Sequence, residues 1–247
     1  MITHALITQA VAIAEKRAKR PGASVYSGRA MVMIERALYA AKSSNWLIIV
    51  SGFVEPVLYL MAFGFGIGQL IGDIEDGSGN PVSYAAFIAP ALLATSAMNG
   101  ALYDATWNVF FKMHFGKLYQ SMMSTSLGPL DVALGEIGWA LLRGLVYAIG
   151  FMIVVTPLGL VTSWWALLAI PAAVLIAFGF ASVGMGVTSY LKSFQQMNWV
   201  NFVLLPMFLF SGTFFDITKA YPDYVVWFIQ ALPLWQAIEL VRGLMTG

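Results

Sequence analysis

The stretch Trp46 to Leu70, WLIIVSGFVEPVLYLMAFGFGIGQL, decides the fold: its 25 residues carry one charge, Glu55. At about 1.5 Å of rise per helical residue it crosses a hydrocarbon layer of roughly 30 Å with some tilt. Reading outward, comparable runs follow at about 84–111, 132–156, 164–190 and 198–215. Because the apolar runs are continuous and do not alternate, they exclude a membrane β-barrel. They predict an all-α polytopic membrane protein, a helix bundle of five visible spans.

Composition agrees. The chain is 60% hydrophobic and 10% charged, with a mean hydropathy of +0.78, whereas soluble domains carry about a quarter of charged residues. There is no cysteine, which excludes disulfides, thiolate nucleophiles and Cys-ligated metals. A net charge of +1 gives no footprint for nucleic acid. The N-terminus is not a signal peptide, since its weakly apolar part precedes the basic cluster Lys16, Arg17, Lys19 and Arg20.

Residues 1–27 read as a cytoplasmic N-terminal segment. Over 28–42, Met31, Ile34, Leu38 and Ala41 recur on one helical face, away from Arg29, Glu35 and Arg36. That spacing predicts an amphipathic helix along the membrane surface, or one packed on protein, before the chain turns in at Ser43-Ser44-Asn45. Lys and Arg then set the orientation. Seven precede the first span, Lys112 and Lys117 lie between spans two and three, and Lys192 lies between four and five. The opposite loops hold Lys219 alone, with Asp73, Glu75 and Asp76. The positive-inside rule predicts a multi-pass inner-membrane protein with its N-terminus in the cytoplasm.

The tail leaves two readings. Tyr224 to Thr246 is long enough for a sixth span, yet that span would carry Pro233, Glu239 and Arg242. The preferred reading is a pair of short interfacial helices on the outer face, with Tyr224, Trp227 and Trp235 at the membrane boundary. It implies that a sixth span follows Gly247.

No GxxxxGK[ST] loop occurs, His4 and His114 lie in separate segments, and no nucleophile–base pair has a workable spacing. The chain reads as no enzyme, without a catalytic, metal or cofactor site of its own. Its informative polar residues are Glu55, Asp104, Glu136 and Arg143, each inside an expected span and costing at least about 2.5 kcal/mol at a helix centre without a partner or a wet path. Arg143 can reach Asp104 or Glu55; the four either fix helix packing or line a path. Gly64/Gly68 and Ser182/Gly186 offer close helix contacts. Pro56, Pro90, Pro171 and Pro206 fall inside spans as candidate kinks.

Five motifs in order, EPVLYLMAFGFGIG (55–68), YAAFIAPALLATSAM (84–98), TSLGPLDVALGEI (125–137), LFSGTFFDI (209–217) and LPLWQAIELVRGL (232–244), resemble a known family. It is the membrane subunit of ATP-binding-cassette (ABC) transporters, type-2 permease class, and within it the drug-resistance and nodulation-type (lipo-oligosaccharide) exporters. The resemblance covers about residues 30–247. It implies a type-2 ABC exporter transmembrane domain over 28–247, with six spans, an elbow helix at 28–42 and an outer re-entrant hairpin at 216–244. It also implies a cytoplasmic coupling segment at 112–128, whose Phe115, Lys117, Leu118 and Tyr119 would meet a separate ATPase subunit carrying ATP and Mg. A second permease subunit, identical or a sister chain, would complete the path for a drug, lipid or lipid-linked glycan. The rival readings are a secondary transporter, for which an internal repeat would be expected, and a non-transporting scaffold.

Overall fold

The computed structural model describes residues 29–43, 47–75, 81–125 and 127–246. The expected segment 1–27 with its basic cluster, the turn residues Ser44 and Asn45, and Asp76 lie outside the described residues. Helix α1 is Ala30–Ser43. Helix α2 starts as Leu47–Tyr59 and runs on through a π-helical stretch, Leu60–Ile67, and a last turn, Gly68–Ile71. The long helix α3, Tyr84–Phe115, is followed by a short α4, Leu118–Met123. Next come α5, Pro129–Val155, α6, Trp164–Tyr190, and α7, Met197–Phe210. One turn, α8 (Ile217–Ala220), then leads to α9, Asp223–Gln230, and α10, Pro233–Thr246.

Four helices, Val54–Ile71, Tyr84–Phe115, Pro129–Val155 and Trp164–Tyr190, are long and apolar enough to cross a membrane. They become five if the bent pair α9 and α10, at 84°, counts as one span. Helix α3 is the central element, buried on every face over most of its length. Its alanines (85, 86, 89, 91, 94, 97, 101 and 105) permit this, since small side chains let neighbouring backbones approach in a bundle that lipid does not squeeze together. The close contact on α6 comes from Ala177, Ala181 and Gly184, where a Cβ on Gly184 would fall 2.9 Å from Leu102. The expected Ser182/Gly186 pair does not make it: a Cβ on Gly186 meets nothing.

Several boundaries differ from the expectation. Span two continues to Phe115, so Lys112 and His114 are helical and not in a loop. Span five ends at Phe210, five residues before the expected 215, because Gly212 takes φ +75° and turns the chain. At 14 residues, α7 is about 21 Å long, short of the hydrocarbon layer. Pro171 falls where a 3₁₀ turn, Trp164–Leu168, passes into the α-helix, a position that tolerates its missing N–H better than a helix interior does. The Gly-rich loop after α2 holds a small antiparallel hairpin, β1 (Asp73–Glu75) with β2 (Pro81–Ser83), whose Ile74 and Val82 face each other and pack on the core.

Helix α1 packs on the bundle through Met33 and Ile34. Met33 is 3% exposed, whereas Met31 and Leu38 of the expected apolar face are 60% and 43% exposed to the outside of the bundle. Glycines on α5 are the reason: a Cβ on Gly135 would lie 2.3 Å from Met33, and one on Gly138 would lie 2.7 Å from Ile34. These notches draw Met33 and Ile34 in and leave a second apolar face outward.

Residues 211–246 leave and rejoin the bundle at one end. Tyr84 donates its hydroxyl to Phe214 O at 2.9 Å, and the Arg242 guanidinium donates to Gly212 O at 3.1 Å. The amides of Thr162 and Ser163 both donate to Met245 O at 3.1 Å. Pro233 begins α10, where its fixed φ suits a helix start and its missing N–H costs nothing.

Candidate functional site

Midway along the bundle a recess of about 790 Å³ opens between α2, α3, α5 and α7. Apolar groups such as Leu92, Leu204 and Phe208 line part of it, and Glu55, Ser96, Asn99, Arg143 and Asn201 supply polar groups from all four helices. Glu55 is exposed to this space and has no ion-pair partner among the described residues. The buried Ser96 hydroxyl also lacks a hydrogen-bond partner there.

Of the two carboxylates within reach of Arg143, Asp104 is its partner: Arg143 Nε lies 2.9 Å from Asp104 Oδ2. The N–H is not aimed at that oxygen, so the contact is a charge pairing without a hydrogen bond. Asn108, one turn further on, donates its side-chain amide to Asp104 Oδ1. Asp104 is 3% exposed and sits behind the recess, while the partly accessible Arg143 reaches into it. Glu136, 6% exposed, lies outside the recess and binds Lys112 Nζ at 2.6 Å. The four intramembrane polar residues therefore divide. Glu55 and Arg143 face the recess, and Asp104 and Glu136 are buried counterions.

At the end of the bundle carrying Lys112 and Lys192, α3 closes on Gly116, and Lys117 takes φ +46°, a left-handed conformation, to start α4. Phe115 is 67% exposed there, and Lys117 is also exposed. Leu118 is half-buried, and Tyr119 is 6% exposed, turned inward against Met33, Val109 and Val132. Burial, and then the negative charge of Glu136, pushes the Tyr119 phenol above its ordinary range. Of the four candidate docking residues, Phe115 and Lys117 point outward, while Tyr119 belongs to the packing under α1.

Sequence reasoning missed Asp131. Its buried carboxylate accepts the Gly128 N–H at 3.2 Å, closing the start of α5, and the Arg29 N–H at 3.0 Å, anchoring the start of α1. The signal was present in Gly128-Pro129-Leu130-Asp131, since an acid at the third helical position complements the free N–H groups of a helix start. Asn99 and Asn201 were also legible as amides within apolar runs; that they share one recess was not.

Residues 29–246 match the profile of a family described as ABC-2 type transporter. The chain is 33% identical over 214 residues to nodulation protein J of Rhizobium leguminosarum bv. viciae, covering 86% of this chain and 80% of that protein. It is 32% identical over 211 residues to nodulation protein J of Sinorhizobium fredii, covering 85% and 78%. It is 30% identical over 201 residues to that of Rhizobium meliloti, covering 81% and 74%. No solved structure matches the chain.

Proposed function

The chain belongs to the ABC-2 type transporter family, and from that premise we propose that it is the permease subunit of an ATP-driven exporter for a hydrophobic or amphipathic cargo. The observation that carries this reading is the recess of about 790 Å³ among four helices of the bundle. Glu55, without an ion-pair partner among the described residues, and the amides of Asn99 and Asn201 share the lining with apolar side chains. Polar groups at that depth are costly unless a cargo or water meets them. A mixed lining suits a molecule with a polar head and an apolar body.

In this reading ATP hydrolysis takes place on separate cytoplasmic ATPase subunits docked at the turn Phe115–Lys117 and α4. A second permease subunit completes the path. Closure of the ATPases on ATP moves α4 and, through it, α3 and α5. Residues 211–246, which leave and return at the opposite bundle end, form the outer re-entrant hairpin. The N-terminus lies in the cytoplasm and the protein in the bacterial inner membrane, which the one-sided Lys and Arg support.

Co-expression with a stand-alone cassette ATPase of the same genome, and reconstitution in liposomes, tests the reading. A stable complex that moves an NBD-labelled phospholipid or an amphipathic dye only with ATP is the expected result. Failure of both folded partners to associate in mild detergent overturns it.

A further inference from the structure

Two ion pairs tie α3 to α5 at successive depths. Asp104 and Lys112 are eight residues apart on α3, about 12 Å of rise, and their partners Arg143 and Glu136 are seven apart on α5, about 10 Å. The rungs, at 2.9 and 2.6 Å, therefore run level across the helix pair, with charges alternating along each side. Asn108 lies between them on α3 and donates its amide to Asp104.

The ends of this series are not equivalent. Arg143 reaches the recess, whereas Lys112 lies four residues before Gly116 and five before Lys117, where the chain turns into α4. Both rungs on α3 also fall in π-helical stretches, 104–108 and 111–115. A π turn closes its hydrogen bonds one residue further on than an α turn and occurs frequently at functional sites. A simple packing role would need neither a rung that opens on the recess nor one beside the turn.

We propose that the two ion pairs form a ladder transmitting the position of the docking turn to the recess, with Lys112 and Glu136 as its positioning residues. The ladder rests on the permease reading. Movement of α4 draws on Lys112 and, through Glu136, shifts α3 against α5. The Asp104–Arg143 rung, held by charge without an aligned hydrogen bond, then re-forms at a new spacing. Arg143 changes its reach into the recess as a result.

The chain has no cysteine, so Asn201→Cys places a single thiol on the recess wall for a water-soluble maleimide. In the complex with its ATPase, trapping with ATP and vanadate is expected to change the labelling rate on the order of threefold, the size of an ordinary intramolecular coupling. Lys112→Met is expected to erase that change while the ATPase still docks and hydrolyses ATP. The exchange Lys112→Glu with Glu136→Lys is expected to restore it. Should Lys112→Met not accumulate, Glu136→Gln gives the same readout. A variant that keeps the nucleotide-dependent change, or an exchange that does not restore it, overturns the ladder and leaves the permease reading standing. If trapping leaves Asn201→Cys labelling unchanged in a complex that docks and hydrolyses ATP, the ladder alone falls; if the unaltered chain binds no ATPase, the permease reading falls and takes the ladder with it.

Discussion

The ring of Tyr147 lies so close to the backbone of Gly52 that a Cβ at residue 52 would fall 1.9 Å from its Cζ. A Cβ on Gly100 would lie 2.8 Å from Cδ2 of the same ring. The tyrosine of α5 is thus held between the glycines of α2 and α3, beside the recess. A ring packed this closely against two helices has little room to swing away from an added methyl.

Gly52→Ala is accordingly expected to destabilise the bundle by about 1–3 kcal/mol, the usual cost of overpacking. The thermal midpoint of the purified protein in detergent measures it. Combining it with Tyr147→Ala should recover part of the loss, since the ring is the clash; equal midpoints for Gly52→Ala and the unaltered chain would show that α2 does not pack as described.

Arg143→Met leaves Asp104 buried without its counterion, a loss of about 3–5 kcal/mol, whereas removing both charges costs little. The monodisperse yield of Arg143→Met should therefore drop sharply and that of Arg143→Met with Asp104→Asn should recover. Glu55→Gln, which alters an exposed carboxylate with no ion-pair partner among the described residues, should leave the yield unchanged. Equal damage in the single and double variants would argue against the pairing.

Phe115→Asp places a charge on the exposed ring position of the docking turn. The fold should survive, because Phe115 is 67% exposed, and capture of the ATPase should fail, because a buried charge without a partner costs several kcal/mol. Leu118→Asp, at a half-buried position, should lower the folded yield as well. A Phe115→Asp complex recovered at full yield would move the docking surface elsewhere.

Asp131→Ala removes the acceptor for two backbone N–H groups, one from α1 and one at the start of α5. Leaving buried donors unsatisfied costs about 1–3 kcal/mol. Asp131→Asn keeps an acceptor oxygen and should cost less. Hydrogen exchange at Arg29 and over α1 distinguishes local release from global unfolding: faster exchange confined to α1 and the start of α5 is the expected pattern.

The membrane class, four of the long helices and the family were legible in the apolar runs and in the five motifs, because a bilayer imposes its thickness on any helix that crosses it; the expected fifth span was not, since its helix stops at Phe210. No water is available there for backbone groups, so an apolar run of that length has one stable form. Polar residues inside apolar runs, such as Asp104 and Arg143, were equally visible, since a charge in a span demands a partner or a wet path whichever neighbour supplies it.

Packing decided the rest. Spacing placed Arg143 within reach of Asp104 or Glu55, but only the rotation of α3 against α5 chose Asp104 and sent Glu55 into the recess. The inner face of α1 turned on the missing side chains of Gly135 and Gly138, which lie about a hundred residues further along the chain. A helical wheel orders residues about one axis; where that axis sits, and what faces it, comes from close contacts between distant segments, and the recess exists only through them.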